Sequence, residues 1–199
     1  MKVTRGHGIL EGFLARKRAE KADELISDNL RTGTILDIGC GTHPYFLQNA
    51  DFYRKHGLDK ISSGGNDICS QQNAVTITNF DIERDVELPY ADDSFEVVTM
   101  LAVIEHVEPV KLTKILADIQ RVLKKGGEYI ITTPAFWTDG LLRMLAGIHM
   151  LSREEIDEHK DTYSHNKLIK LLTSAGFEKS NIEYGFFESF MNLWVKVKK

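Results

Sequence analysis

Residues 35–46 read ILDIGCGTHPYF, and this stretch decides the fold. Its apolar residues predict a short buried strand, Gly39 and Gly41 predict a tight turn, and Pro44 suits the first position of a helix, where no N–H donor is needed. Glycine permits a positive φ and lets a ligand lie against the backbone, while a helix start offers unpaired N–H groups. The stretch therefore predicts a strand, a glycine turn and a helix start that bind a nucleotide-sized ligand.

Two residues of this turn separate the cofactor classes that use such a loop. A dinucleotide site needs the pattern G-x-G-x-x-G, whose third glycine allows close helix packing while the pyrophosphate sits at the helix N-terminus. Here Pro44 occupies the third position and Asp37 precedes the turn. An acid at that place suits a cationic ligand better than a pyrophosphate. A dinucleotide-dependent oxidoreductase is therefore the disfavoured alternative.

The pattern D-x-G-x-G after a short apolar strand resembles the first motif of class I S-adenosylmethionine-dependent methyltransferases, of the type 11-like kind. The resemblance implies that Asp37, Gly39 and Gly41 bind this cofactor, whose sulfonium and amino groups would explain the acid. Residues 80–100, FDIERDVELPYADDSFEVVTM, resemble a second passage of the family, with an acid, Leu-Pro, an acidic turn and a Phe-acid strand opening in order. There the resemblance implies that Asp81 reads the adenine amino group and that Ile82 packs beside the ring.

The remaining predicted contacts lie at strand ends. Asp59 follows the second predicted strand about 20 residues beyond the glycine turn, where an acid can accept hydrogen bonds from both hydroxyls of a ribose. By resemblance, Leu101 and Ala102 line the methionine end of the cofactor. By the same resemblance, Glu105 and His106 match the family's Glu-His pair near the mouth of the acceptor site.

The chemistry requires little more than positioning, because an activated methyl needs an acceptor atom held in line with it. His106 is the candidate base for a hydroxyl acceptor, since neutral imidazole takes up a proton near pH 7. The alternative is that Glu105 and His106 only cap the next helix and orient the loop. Further candidates come from the glycine turn and from a later insertion: His43, His149, His159, Tyr163 and His165.

A metal site is not predicted. Some quinone-ring O-methyltransferases of this family bind a divalent cation through an acid three residues before the Glu-His pair, and here that position is Ala102. Hard cations need several oxygen ligands, so the loss of one argues against a metal requirement. The same departure makes a quinone acceptor less favoured.

Strand and helix patterns alternate along the chain and predict an α/β fold. We expect a doubly wound, Rossmann-like, seven-stranded and mostly parallel sheet that ends in an antiparallel C-terminal hairpin. A helix is predicted over 111–125 and is closed by Gly126 and Gly127. Residues 1–199 form one predicted domain, with a helical extension over 1–32 and an insertion on the substrate side over 135–164.

Composition narrows the class of protein. The chain has 199 residues, of which 42% are hydrophobic and 27% charged, as in soluble globular domains. Its net charge of −4 argues against a nucleic-acid partner. Two cysteines without metal-ligand spacing favour a reducing cytoplasm. The sequence has no transmembrane stretch, although the apolar residues 141–151 would suit a lid helix, a hydrophobic acceptor or contact with a membrane surface.

Together these features predict methyl transfer from S-adenosylmethionine to a small-molecule acceptor at an oxygen, nitrogen or carbon atom. The alternative is a catalytically inactive protein that binds S-adenosylmethionine and regulates a partner, because a fold can keep its cofactor motifs without turnover. Neither the acceptor nor the oligomeric state follows from the sequence.

Overall fold

The computed structural model describes residues 11–60, 75–85, 87–138 and 160–199. Seven strands in these ranges form one sheet: β1 (Thr34–Ile38), β2 (Arg54–Asp59), β3 (Val75–Asn79), β4 (Phe95–Leu101), β5 (Leu123–Pro134), β6 (Ile182–Phe187) and β7 (Asn192–Lys198). Their spatial order is β3-β2-β1-β4-β5-β7-β6. Strands β1 to β5 are parallel to their neighbours, and β7 runs antiparallel to both β5 and β6. The predicted Rossmann-like sheet with its antiparallel hairpin is confirmed.

In the part of the chain that the structure describes, four α-helices cover the two faces of the sheet: α1 (Glu11–Leu25), α2 (Tyr45–Asn49), α3 (Pro109–Val122) and α4 (His165–Ser174). α1 and α2 pack on one face over a core that includes Ile35, Val97 and Ile130. α3 and α4 pack on the other face over a second core that includes Leu36 and Val98. Adjacent residues of one strand thus enter opposite cores, as a sheet covered on both faces requires.

Two predicted helix boundaries differ from the observed ones. α2 begins at Tyr45, so Pro44 is its N-cap and not its first residue. α3 ends at Val122 and not at 125, because Leu123 pairs with Phe95 of β4 and is fully buried in that ladder. Gly126 lies within β5 with a φ of 77° and therefore does not close the helix.

The N-terminal helix is fixed along β7 by polar contacts. Ser27, just beyond α1, donates from its hydroxyl to Glu128 at 2.6 Å, and Lys196 Nζ donates to the Leu25 carbonyl at 2.8 Å. One helical turn earlier, Lys21 Nζ lies 5.5 Å from the ring centre of Trp194. Since β7 starts at the carboxyl end of β5, α1 points its N-terminal half toward that edge of the sheet.

The predicted extension and insertion are only partly covered by the described ranges. Residues 1–10 of the extension and 139–159 of the insertion lie outside them. Within the described ranges, no helix is long and apolar enough to cross a membrane.

Candidate functional site

The glycine turn between β1 and α2 is held in a shape that only glycine adopts easily. Gly39 and Gly41 have φ values of 76° and 73°. A Cβ on Gly39 would lie 2.3 Å from Val103 Cγ2, so the position has no room for a side chain either. The N–H groups of Gly39 and Cys40 donate to the Leu58 carbonyl at 2.7 and 3.2 Å. The turn is thus fixed between the end of β2 and the loop after β4.

Two buried carboxyl groups lie at the strand ends beside this turn. Thr99 Oγ1 of β4 donates to Asp37 Oδ1 at 2.7 Å, and the Gly41 N–H donates to Asp59 Oδ2 at 2.6 Å. Burial raises the pKa of Asp37 to about 7, the Thr99 hydrogen bond opposes the rise, and the Asp59 charge adds to it. A cationic ligand group beside Asp37 would favour its ionised form.

Asp81 is held at the next strand end by two partners. Lys60 Nζ lies 2.8 Å from Asp81 Oδ2, and the Glu83 N–H donates to Oδ1 at 3.1 Å. The Lys60 hydrogen bond lowers the pKa of Asp81. Ile82 is half-buried against the core below α3. The Asp81 carboxylate thus already has two partners, and the predicted adenine amino group would be a third.

The end of β4 turns sharply beside the glycine loop. Leu101 is half-buried on the α1 face, and Ala102 has a φ of 55° while its N–H donates to the Thr132 carbonyl at 2.9 Å. A positive φ at a residue with a Cβ is strained, and such strain is typical of functional sites. The turn places Val103 against Gly39. The structure thus places Leu101 and Ala102 just before the residue that contacts the glycine turn, and their contact with the cofactor stays a prediction.

Glu105 and His106 form a short 3₁₀ turn at the same edge of the sheet. The Glu105 carboxyl is buried and accepts a hydrogen bond from Thr133 Oγ1 of β5 at 2.9 Å. Burial raises its pKa to about 7, against the effect of the Thr133 hydrogen bond. His106 is half-buried, with its Nδ1 atom below the surface. Glu105 thus orients the loop by binding β5, whereas the predicted role of His106 as a base stays a prediction.

The further candidates are dispersed. His43 is exposed, with Nδ1 3.2 Å from Thr42 Oγ1. The buried Tyr163 donates its hydroxyl to the Ile104 carbonyl at 3.4 Å, and His165 Nε2 lies 2.9 Å from the Gly185 carbonyl at the edge of the sheet. These contacts attach Tyr163 and His165 to the fold, and a catalytic role for either residue stays a prediction. Two candidates lie outside the described residues: His149 and His159.

Among the described residues, no three His, Cys, Asp or Glu side chains are grouped so that they would hold a metal ion. The absence of a metal requirement stays a prediction.

Sequence reasoning missed three residues that shape the site: Thr99, Val103 and Thr133. Each acts on a predicted site residue from a different strand or loop. Only Thr99 carries a local signal, since it is a polar residue within the otherwise apolar end of β4.

An aromatic surface lies at the carboxyl end of β5 and on the β6–β7 turn, and consists of Phe136, Trp137, Phe186 and Phe190. Successive ring centres are 4.9, 5.3 and 5.7 Å apart. Each ring is at least one-third exposed, and Phe190 is 66% exposed. Exposed, contiguous apolar surface of this kind marks an interaction or ligand site.

Residues 10–181 match a protein family that is described as a methyltransferase domain. The chain belongs to this family. A sterol 4-C-methyltransferase of Caenorhabditis elegans is 30% identical over 120 residues, which are 57% of this chain and 33% of that protein. The methyltransferase domain described here thus spans about a third of the length of that curated relative.

Solved structures of S-adenosylmethionine-dependent methyltransferases share the fold. The enzyme from Archaeoglobus fulgidus has a TM-score of 0.68 at 15% identity, covering 95% of this chain and 94% of its own. The enzyme from Mesorhizobium loti has a TM-score of 0.66 at 15% identity, covering 94% of this chain and all of its own. The predicted class I S-adenosylmethionine-dependent methyltransferase is confirmed, and the family match excludes the oxidoreductase alternative.

The residues of this methyltransferase domain fit S-adenosylmethionine, the cofactor of its family. The cofactor carries a sulfonium and an ammonium group, and the buried carboxyl of Asp37 lies beside the glycine turn where a cation would offset its burial. Asp59 ends the neighbouring strand at hydrogen-bonding distance from that turn. Acid placement and glycine geometry therefore agree with a cationic nucleoside ligand.

Proposed function

We propose that this methyltransferase domain transfers a methyl group from S-adenosylmethionine to a small apolar acceptor, with sterols as the first class to test. The observation that carries the proposal is the aromatic surface at the carboxyl end of β5, beside the Glu105–Thr133 pair. Apolar ligands bind to aromatic walls that adjoin a few polar groups. The relative named as a sterol methyltransferase supports the same acceptor class.

The proposed cofactor contacts follow the strand ends. Asp37 faces the charged amino-acid end, Asp59 accepts from the ribose hydroxyls, and Asp81 accepts from the adenine amino group. The apolar parts of the cofactor are proposed to pack on Ile82, Leu101 and Ala102, with Gly39 and Gly41 allowing close approach of the backbone. The bound cofactor supplies an activated methyl, so the protein mainly aligns the acceptor with it.

On the acceptor side, His106 is proposed as a base wherever the methylated group must lose a proton. The half-buried imidazole lies one residue from Glu105, which ties this loop to β5. Neutral imidazole is suited to proton uptake near pH 7. The inactive, regulatory alternative has no support from the family match.

The proposal keeps one domain over residues 1–199, with the helical extension and the 135–164 insertion on the acceptor side. The two cysteines support a cytoplasmic location.

The first experiment is calorimetric titration of the purified protein with S-adenosylmethionine and, separately, with NAD. We expect micromolar binding of the first, equivalent to about −8 kcal/mol, and none of the second. Asp59→Ala should weaken binding by about 1 to 3 kcal/mol through loss of charge-assisted hydrogen bonds, while Asp51→Ala, at an exposed acid, should not.

The second experiment tests the acceptor with radiolabelled methyl groups on the cofactor. Label should enter cholesterol or another sterol but not water-soluble amines. Methylation of any acceptor would exclude the inactive alternative, whereas label in the amines alone would refute an apolar acceptor.

A further inference from the structure

The turn between β6 and β7 holds an unusual backbone. Glu188, Ser189 and Phe190 have φ values of 50°, 55° and 67°, so three successive residues with a Cβ lie in the left-handed region. This conformation is unfavourable for such residues and is retained mainly where function needs it. Asn192 Nδ2 donates to Glu188 Oε2 and fixes the direction of the carboxylate. The strained turn thus presents a positioned acid next to the exposed ring of Phe190.

Two buried oxygen atoms near this edge have no hydrogen-bond partner within the described ranges. They are Glu188 Oε1 and Thr132 Oγ1, and the Thr132 side chain is fully buried. Thr132 pairs with Trp194 across the β5–β7 ladder, so it shares a face with Asn192, two residues along β7. Buried polar atoms without partners are uncommon and call for a missing ligand or solvent group. Both atoms lie on the α1 side of the carboxyl edge.

A cation from α1 approaches the same place. Lys21 of α1 lies over the ring of Trp194. Arg18 is about one helical turn nearer to the N-terminus of α1, and therefore nearer to the carboxyl edge of the sheet than Lys21. The Arg18 guanidinium acts electrostatically on the carboxyl groups of both Glu105 and Glu188. Among the described residues, Arg18 forms no hydrogen bond or ion pair, unlike Arg16, which pairs with Glu20 at 2.7 Å. Its donors are therefore available to a ligand.

We propose that Glu188, Arg18 and Thr132 form a subsite that binds a free, uncharged hydroxyl group of the acceptor. The hydroxyl donates to Glu188 Oε1 and accepts from Arg18, while Thr132 supplies a third partner. This inference rests on the proposed apolar acceptor, whose body would contact the exposed ring of Phe190, two residues from Glu188 on the same turn. The acceptor class is thus an apolar molecule with one hydroxyl, as in a sterol.

The charge balance at the hydroxyl subsite favours this class over charged groups. An ammonium group would be attracted by Glu188 but repelled by Arg18 and by Lys17, which also acts on Glu188. A carboxylate or phosphate would be attracted by Arg18 but repelled by Glu188. A hydroxyl is both donor and acceptor, so it satisfies both partners without adding a buried charge.

The test compares cholesterol with its methyl ether, in which a methyl group replaces the hydrogen of the O–H donor. Each is delivered in cyclodextrin to the protein with bound S-adenosylhomocysteine, and binding is followed by the fluorescence of the two tryptophans, Trp137 and Trp194. We expect the wild-type protein to bind cholesterol about tenfold more tightly, as a hydrogen bond to a charged group allows. Glu188→Gln should remove this preference. Arg18→Met should weaken the binding of both sterols, because the ether oxygen also accepts a hydrogen bond, whereas Arg16→Met should change neither affinity.

The outcomes test the hydroxyl subsite and the apolar acceptor separately. Preference for cholesterol that is lost in Glu188→Gln supports the hydroxyl subsite. Equal binding of cholesterol and its ether by the wild-type protein, or an undiminished preference in a folded Glu188→Gln variant, overturns the subsite and leaves the proposed function intact. Binding of S-adenosylhomocysteine with no binding of either sterol overturns the apolar acceptor and the subsite with it.

Discussion

Asp37 should make the affinity for S-adenosylmethionine depend on pH between 6 and 8. Its pKa is raised to about 7 by burial, in spite of the hydrogen bond from Thr99. The cationic cofactor favours the ionised carboxyl, so protonated Asp37 must lose its proton on binding. About one-tenth of the Asp37 carboxyl groups are ionised at pH 6 and about nine-tenths at pH 8. The affinity for the cofactor should therefore rise about tenfold over this range, which corresponds to ~1.4 kcal/mol of binding free energy.

Calorimetry in buffers of different ionisation enthalpy measures both the affinity and the protons released. We expect cofactor binding to release nearly one proton per protein molecule at pH 6 and only about one-tenth of a proton at pH 8. Asp37→Asn should bind weakly and without this pH dependence. Glu105 needs its own control because burial also raises its pKa to about 7, and Glu105→Gln should keep the dependence. Equal affinity at pH 6 and pH 8, or an unchanged slope in Asp37→Asn, would refute the reasoning.

The stability of the ligand-free protein gives a second test of the same group. Because folding raises the pKa of Asp37, its favourable contribution is present below the unfolded value of 3.8 and is lost as the pH rises through about 7. At pH 8 the fold must hold an ionised, buried carboxylate. Asp37→Asn should therefore raise the melting temperature at pH 8 while abolishing stabilisation by the cofactor.

Three further variants test other parts of the structure. Gly39→Ala should lower the free energy of unfolding by about 3 kcal/mol in denaturant melts, because the added Cβ would have a positive φ and would also clash with Val103. Gly126 has nearly the same φ but no atom near its Cβ position, so Gly126→Ala should lower it by only about 1 kcal/mol. Equal losses in the two variants would contradict the Val103 contact. Glu128→Gln should lower the free energy of unfolding by about 2 to 4 kcal/mol, because Lys196 would lose its buried ion-pair partner. A loss no larger than that of Glu183→Gln, at an exposed acid, would contradict this prediction. His106→Ala should reduce turnover at unchanged cofactor affinity in a methyl-transfer assay; full turnover would make the residue structural.

Local patterns in the sequence were sufficient to predict the sheet and to place at one edge the three acids that are proposed to bind the cofactor. The rule that parallel strands present their carboxyl ends at one edge brings Asp37, Asp59 and Asp81 together without any knowledge of packing. The left-handed backbone of Gly39 and Gly41 likewise follows from residue type. These features depend on residues that are close in sequence or on the topology of the fold.

Features that depend on pairing between distant residues were not predictable. The end of α3 is set by Leu123 pairing with Phe95, which outweighs the glycines that suggested a later end. The proton on Asp37 depends on its burial and on Thr99, which lies 62 residues away. The left-handed turn at Glu188 contains no glycine from which its backbone conformation could have been predicted. Sequence thus located the cofactor side better than the acceptor side.

This difference has a structural cause. The cofactor side is built on the ends of β1 to β4, where each contact lies on or next to the strand that carries it. The acceptor side combines β5, the β6–β7 turn and α1, which are distant in sequence. α1 is fixed at its far end by Ser27 and Glu128, and this attachment sets the position of Arg18, whose charge acts on Glu188. The geometry of the proposed acceptor side therefore depends on contacts at the opposite edge of the sheet.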